Sequence, residues 1–169
     1  MKTAILTDLH ANRQAVEAVL EHAAEQGAQA YALLGDFVGY GADPGWVVDQ
    51  VRALCERGAV AVMGNHDLAT VHGPSEGMRP EPRQVIEWTR AQLDADQLGF
   101  LSALPMLDET PQRLYVHANA WAPRDWGYIQ SRLDAVRSLH STRSWLTFCG
   151  HMHEQRLYHL SSVGKVADF

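Results

Sequence analysis

At 169 residues and a formal net charge of −6, the chain has one domain's worth of length, enough to bury a core without staples. Its 46% hydrophobic and 20% charged residues are those of a globular protein. The acidic balance argues against tight gripping of nucleic acid or an anionic membrane, since both need clustered Lys and Arg. No apolar run reaches spanning length, and "MKTAILTDLH" meets Asp8 and His10 too early for a signal peptide. Cys55 and Cys149 form neither a CxxC nor a disulfide framework, so the expected compartment is the cytoplasm.

In chain order, "TAILTD" reads as a short buried strand. A helix follows from Asn12, a plausible N-cap, to Gly27, with Val16, Val19, Leu20 and Ala23 on one face. "AYALLGD" is the second strand. "DPGWVVDQVRALCERG" is the second helix, with Asp43 placed to cap and Pro44 in the first turn. "AVAVMGN" is the third strand. This alternation predicts βαβ units and a parallel sheet. Residues 67–81 read as a loop because Gly73, Pro74, Gly77 and Pro80 interrupt any helix, and 82–104 read as helical. "RLYVHAN" and "SWLTFCGH" are the fourth and fifth strands, and "RLYHLSS" is a sixth, expected to be antiparallel. One α/β domain over 1–169 is the economical organisation.

The polar residues fall at strand ends: Asp8 and His10, then Asp36, then Asn65, His66 and Asp67, then His117, then His151 and His153. A lone His or Asp in such a place is commonly a satisfied polar group or a cap. Their joint occurrence at five strand ends is harder to explain that way, because ligands bind at the carboxyl edge of parallel strands. Seven oxygen and nitrogen donors without a thiolate exceed what one zinc needs and suit two divalent ions. The glycines before Asp36, Asn65 and His151 would give such ligands backbone room. In an extended backbone the HxH spacing puts His151 and His153 on one face. His22, His72, His140 and His159 lie off the pattern and read as surface or structural.

In order, "DLH", "GDFVG", "GNHD", "VHAN" and "GHMH" resemble the five signatures of the calcineurin-like metallophosphoesterases, within which "GDFVGYG" is similar to a small bacterial branch. The resemblance implies a two-sheet β-sandwich flanked by helices, with a dimetal site at the strand carboxyl ends. By the same resemblance Asp8, His10 and His153 would hold one metal, Asn65, His117 and His151 the other, and Asp36 would bridge them. His66 would contact phosphate and serve as the acid for the leaving group; Asp67 would either orient that imidazole or cap a helix. Two divalent ions (Mn, Fe, Zn or Ni, with Mn favoured) would drive in-line attack of a bridging hydroxide on a phosphomonoester or phosphodiester.

The phosphoprotein phosphatase variants GDxVDRG and GNHE are missing. Ala11 and Ala118 stand where relatives carry Gly. Relatives also run further past GHxH, so a shortened C-terminal part is expected, with an uncovered edge that a homodimer would close. Arg124, Tyr40 and Trp121 are the candidate substrate contacts, in loops that also hold Arg79, Trp126 and Tyr128. The expected partner is a small phosphorylated substrate, without membrane or nucleic acid. The competing readings are a metal-binding regulatory or interaction protein with little turnover, an amidohydrolase, for which the chain is short, and a nuclease, which the net charge disfavours.

Overall fold

In the computed structural model, residues 1–162 and 164–168 are described. β1 (Thr3–Leu6), β2 (Ala30–Leu33) and β3 (Val60–Ala61) form a parallel sheet in the order β1-β2-β3. The crossovers are α1 (Arg13–Glu25) and α2 (Pro44–Glu56). α1 starts where the sequence places it, with the Asn12 side chain accepting from the Ala15 N–H at 3.0 Å. The Asp43 side chain makes no such bond at the start of α2. Its expected cap is therefore not used, and Pro44 at the first turn removes one of the donors that would have needed it.

Val16, Val47, Val48, Val51 and Leu54 bring the apolar stripes of α1 and α2 onto Leu33 and Phe37. The opposite face of the sheet offers Ala32, Leu34 and Val62 to Tyr115 and Phe148. Those two residues belong to a second sheet, built from β4 (Leu107–Glu109), β5 (Arg113–Val116) and β6 (Leu146–Phe148). Here β5 runs antiparallel to β4 and parallel to β6. Two sheets packed face to face with helices outside are the architecture the resemblance implied. Because β2 is buried on both faces, its apolar residues run continuously instead of alternating.

Three expectations change. The loop read over 67–81 begins with a helix, α3 (Asn65–His72), which ends at Gly73 with φ +82°. The helix read over 82–104 is two helices, α4 (Pro80–Ala91) and α5 (Ala95–Ser102). Asp94 breaks it by accepting from the Gln97 N–H while the Gln97 side chain accepts from the Asp94 N–H, a reciprocal cap. β4 and α6 (Arg132–His140) were not anticipated. The sixth expected strand, β7 (Tyr158–Leu160), is antiparallel, and its partner is β8 (Val166–Asp168).

Candidate metal centre

The ends of β1 and β2 are locked together before any ligand is considered. The Asp8 N–H donates to the Gly35 carbonyl (3.1 Å), His10 to Asp36 (2.9 Å) and Ala11 to Phe37 (2.8 Å). The β5 and β6 ends are joined by the Gly150 N–H on the His117 carbonyl at 2.9 Å. Bonds at this edge also tie the two sheets, among them the His151 N–H donating to the Asp8 carboxylate at 3.0 Å. Thr7, which the sequence did not single out, donates its hydroxyl to the same carboxylate at 2.7 Å.

Two of the glycines expected to give ligands room do so: a Cβ on Gly64 would strike the Asp36 carboxylate, and one on Gly150 would come within 2.5 Å of Asp8 Oδ2. A Cβ on Gly35 would come within 2.5 Å of the Gly64 backbone nitrogen. There the space is needed by protein backbone. The strain falls on the ligands themselves. Asp8, His10, Asp36, His151 and His153 all have φ between 46° and 67°, as do Ala11, Tyr40 and Trp126 beside them. Non-glycine residues seldom adopt this left-handed conformation, and its concentration at one edge marks a site. It also corrects the expectation for GHxH. His151 (φ 67°) and His153 (φ 52°) are not extended, and Met152 N–H folds back to the Gly150 carbonyl at 2.7 Å. The two imidazoles consequently reach different neighbours.

The side chains gather in three overlapping groups, one of them His10, Asp36 and His66. Asp8, His10 and His153 present donor atoms to a common point, and so do Asp36, His117 and His151. The His10 and His153 Nε2 atoms are 3.2 Å apart, and His153 Nε2 is 3.2 Å from Asp8 Oδ1. In the other set, His117 Nε2 lies 3.2 Å from His151 Nδ1 and 3.1 Å from Asn65 Oδ1. Asp36 Oδ2 lies between the sets, 3.9 Å from His10 Nε2 and 3.3 Å from His117 Nε2. Its other oxygen accepts from the His66 N–H at 2.8 Å.

Whether these residues suit a cation is decided by their protons. His10 Nδ1 faces the Val38 carbonyl (3.1 Å), His117 Nδ1 the Leu34 carbonyl (2.6 Å) and His151 Nε2 the Trp126 carbonyl (2.9 Å). A carbonyl only accepts, so each of those nitrogens carries the hydrogen. In the neutral imidazoles the opposite nitrogens are lone pairs that aim inward; at His117, whose charged form Asp36 favours, either a proton or an ion can occupy that nitrogen. Lone pairs facing one another at 3.2 Å, beside carboxylate and amide oxygens, repel unless positive charge sits among them. The donor set fits two divalent ions.

Burial would push the Asp36 carboxyl up, but the hydrogen bond and charge of His117, with His66, hold it below the ordinary range. His117 is the mirror case: burial opposes its charge, and Asp36 raises it. Burial lowers His66 and His151. The His66 ring stands 5.0 Å from that of His10 and 4.6 Å from that of Tyr40.

Asp67 does not reach that imidazole. It is fully buried, and its oxygens accept from the N–H groups of Phe37 (2.9 Å), Val38 (3.2 Å) and Gly64 (2.9 Å). The cap is the role the structure supports, extended to a clamp on the loop after β2. Burial and the nearby Asp36 raise its pKa to about 7, against those donors.

Of the substrate candidates, Tyr40 is at the site, 68% exposed and edge-on to His10 at 4.8 Å. Trp121 lies under the Arg137 guanidinium of α6 and packs a loop. Arg124 is exposed without a contact that ties it to the ligands. Tyr128 and Trp126 are nearer than either: Tyr128 stacks on His151 at 4.3 Å, and the Trp126 ring is 5.9 Å from that of His117. Asn119, which the sequence gave no reason to select, is fully buried and holds their loop through the Ala122 N–H and the Gly127 carbonyl.

Oxygen and nitrogen donors gathered at one edge of a two-sheet α/β sandwich make this edge a candidate metal centre. The chain belongs to the calcineurin-like phosphoesterases, whose family model matches residues 1–168. A metallophosphoesterase structure from Sphaerobacter thermophilus is 35% identical with a TM-score of 0.81, covering 94% of this chain and 63% of that one. An uncharacterized protein of Methanocaldococcus jannaschii is 32% identical over 155 residues, 89% of this chain and 61% of its own length. A hypothetical protein from Pyrococcus horikoshii OT3 shares the fold at 16% identity, with a TM-score of 0.78, covering 96% and 73%. The chain therefore spans about three fifths of the length of the first two relatives.

Proposed function

We propose that residues 1–169 act as one domain, a dimetal phosphoesterase that hydrolyses a small phosphorylated molecule by in-line attack of water. The observation that carries this reading is the pair of inward-facing lone-pair sets with Asp36 Oδ2 between them. Divalent ions held there supply Lewis-acid charge and lower the pKa of a water nucleophile. Asp8, His10 and His153 hold one ion, Asn65, His117 and His151 the other, and Asp36 is shared. A neutral amide at Asn65, where a third carboxylate would cancel charge, leaves the centre attractive to a phosphoryl oxyanion.

His66, which also groups with His10 and Asp36, is in this reading kept for the substrate and stands next to Tyr40. Burial disfavours its charged form, and a phosphate dianion in contact favours it, so protonation accompanies substrate binding. The imidazolium then donates to the departing oxygen. Asp67 sets the backbone that carries His66 and leaves its ring alone.

No helix among the described residues is long and apolar enough to cross a membrane, and two free cysteines suit a reducing compartment, the cytoplasm. Trp145 (87% exposed) and Leu146 leave apolar side chains exposed at the start of β6; a second copy covering them would make a homodimer, and light scattering of W145E against wild type tests that.

The test of function is metal content together with turnover of p-nitrophenyl phosphate and its bis ester in Mn2+. About two ions per chain with turnover of either ester is the expected result. The preferred ester distinguishes monoesterase from diesterase. About two ions without turnover on a wide ester panel would favour a metal-binding regulatory protein.

A further inference from the structure

Beside the metal centre lies a crevice of about 810 Å3 that begins at His10 and His153 and runs along the start of α1. It touches the Asp8–His10–His153 set and none of Asn65, His117 or His151. Its walls include Leu9, Val16 and Val19, with Tyr40 and Asp43 opposite. No lysine or arginine lines it. Asp43 stands where a helix cap is normal, yet its carboxylate makes no cap bond and forms no hydrogen bond or ion pair among the described residues. Tyr40 is 68% exposed and stands between this crevice and His66.

We propose that this crevice receives the leaving group, and that Tyr40 and Asp43 select an alcohol bearing an ammonium group over one bearing an anion. The inference rests on the phosphoesterase reading of the adjoining site. An aromatic face, an unpaired carboxylate and apolar walls are what a compact alkylammonium group binds. An anionic leaving group, a second phosphate included, meets Asp43 with no cation to offset it. Placement agrees with the chemistry: the ester oxygen lies near His66, and the alcohol extends past Tyr40.

The experiment has a binding arm and a kinetic arm, both on the Mn2+-loaded full chain. Ligand-observed NMR with tetramethylammonium is expected to show binding to wild type, weakened about tenfold in D43N and in Y40L. kcat/KM for phosphocholine is expected to exceed that for 3-phosphoglycerate by at least about tenfold, and D43K to reverse the order. Equal tetramethylammonium binding by wild type and D43N, or no preference between the two esters, would overturn the proposal while turnover of p-nitrophenyl phosphate kept the hydrolase reading intact. Ammonium binding that depends on Asp43, with no turnover of any ester, would leave the crevice assigned and remove the hydrolase reading.

Discussion

The two ligand sets differ in how firmly the protein holds them. Around Asp36, His117 and His151 the side chains are buried, with His117 at 0% and Asp36 at 2% exposure, and both imidazoles are pinned by carbonyls. Around Asp8, His10 and His153 the opening is at His153: Asp8 and His10 are 9% and 12% exposed, and His10 too is pinned by a carbonyl. His153 is 53% exposed, and its second nitrogen has no hydrogen bond among the described residues. Fixed tautomers and buried ligands favour tight, slow-exchanging ions, whereas an exposed and untethered imidazole favours a weaker and exchangeable one. On the proposed reading, the first position is expected to hold its ion and the second to exchange it.

Removing the shared oxygen should break this asymmetry most completely. Asp36→Ala is expected to lower metal content at both positions and turnover by on the order of a thousandfold; retention of two ions would mean that Asp36 is not shared. His153→Ala should discriminate between the positions. It is expected to leave about one ion per chain while His117→Ala leaves the centre largely empty, by elemental analysis after gel filtration. Equal losses in the two variants would erase the distinction.

Protons sharpen it further. His117 has its pKa raised above the ordinary 6.5 by Asp36, and an ion must displace that proton. Affinity at the buried position should therefore fall as pH drops through a midpoint above 6.5, seen as metal release between neutral and mildly acidic buffers. Metal-free protein should show the matching stability term. His117's contribution is present below its unfolded pKa and lost as pH rises through the folded one. Asp36's, with its folded pKa depressed, is present above its unfolded pKa and lost as pH falls through the folded one.

Asp67→Ala tests the clamp beneath the buried set. Loss of the carboxylate that accepts from three backbone N–H groups is expected to cost about 3 kcal/mol of stability, read from denaturant midpoints, with KM for p-nitrophenyl phosphate nearly unchanged at a temperature where the variant stays folded. The smallest expected effect is at Tyr128, whose ring stacks on His151; Tyr128→Leu should alter turnover only a few-fold, since the Trp126 carbonyl still holds that imidazole.

The candidate ligands were legible because each follows a strand end by one to five residues, where a local pattern of Gly, Asp and His carries the information. What the sequence could not show is how far apart in space those ends lie. The resemblance divided His151 and His153 between two metals, but their spacing alone could not show the left-handed backbone at both, which replaces the extended one. α3 was hidden because its first residues are chosen for the site, and the polar run Asn65–His72 has no apolar stripe to betray a helix. β3 supplies only two residues of ladder, so its reading rested on alternation with the helices before it. Asp43 has the residue type and position of a cap, and only coordinates reveal that its carboxylate is unused. Tyr128 and Trp126 lie in a loop whose course depends on Asn119, a long-range arrangement with no periodic trace.

The left-handed backbone at five ligands has a consequence for anyone trying to toughen this protein. Each such residue is held in a conformation that costs about 1 kcal/mol or more relative to glycine. A selection for heat resistance alone would reward glycine or asparagine at position 153 first and then at 10 and 151, while at 8 and 36 the hydrogen bonds that the carboxylates accept offset the gain. The winners would melt later and have fewer imidazoles left with which to grip an ion. Thermal screens on this scaffold should therefore be scored with metal content in the same well.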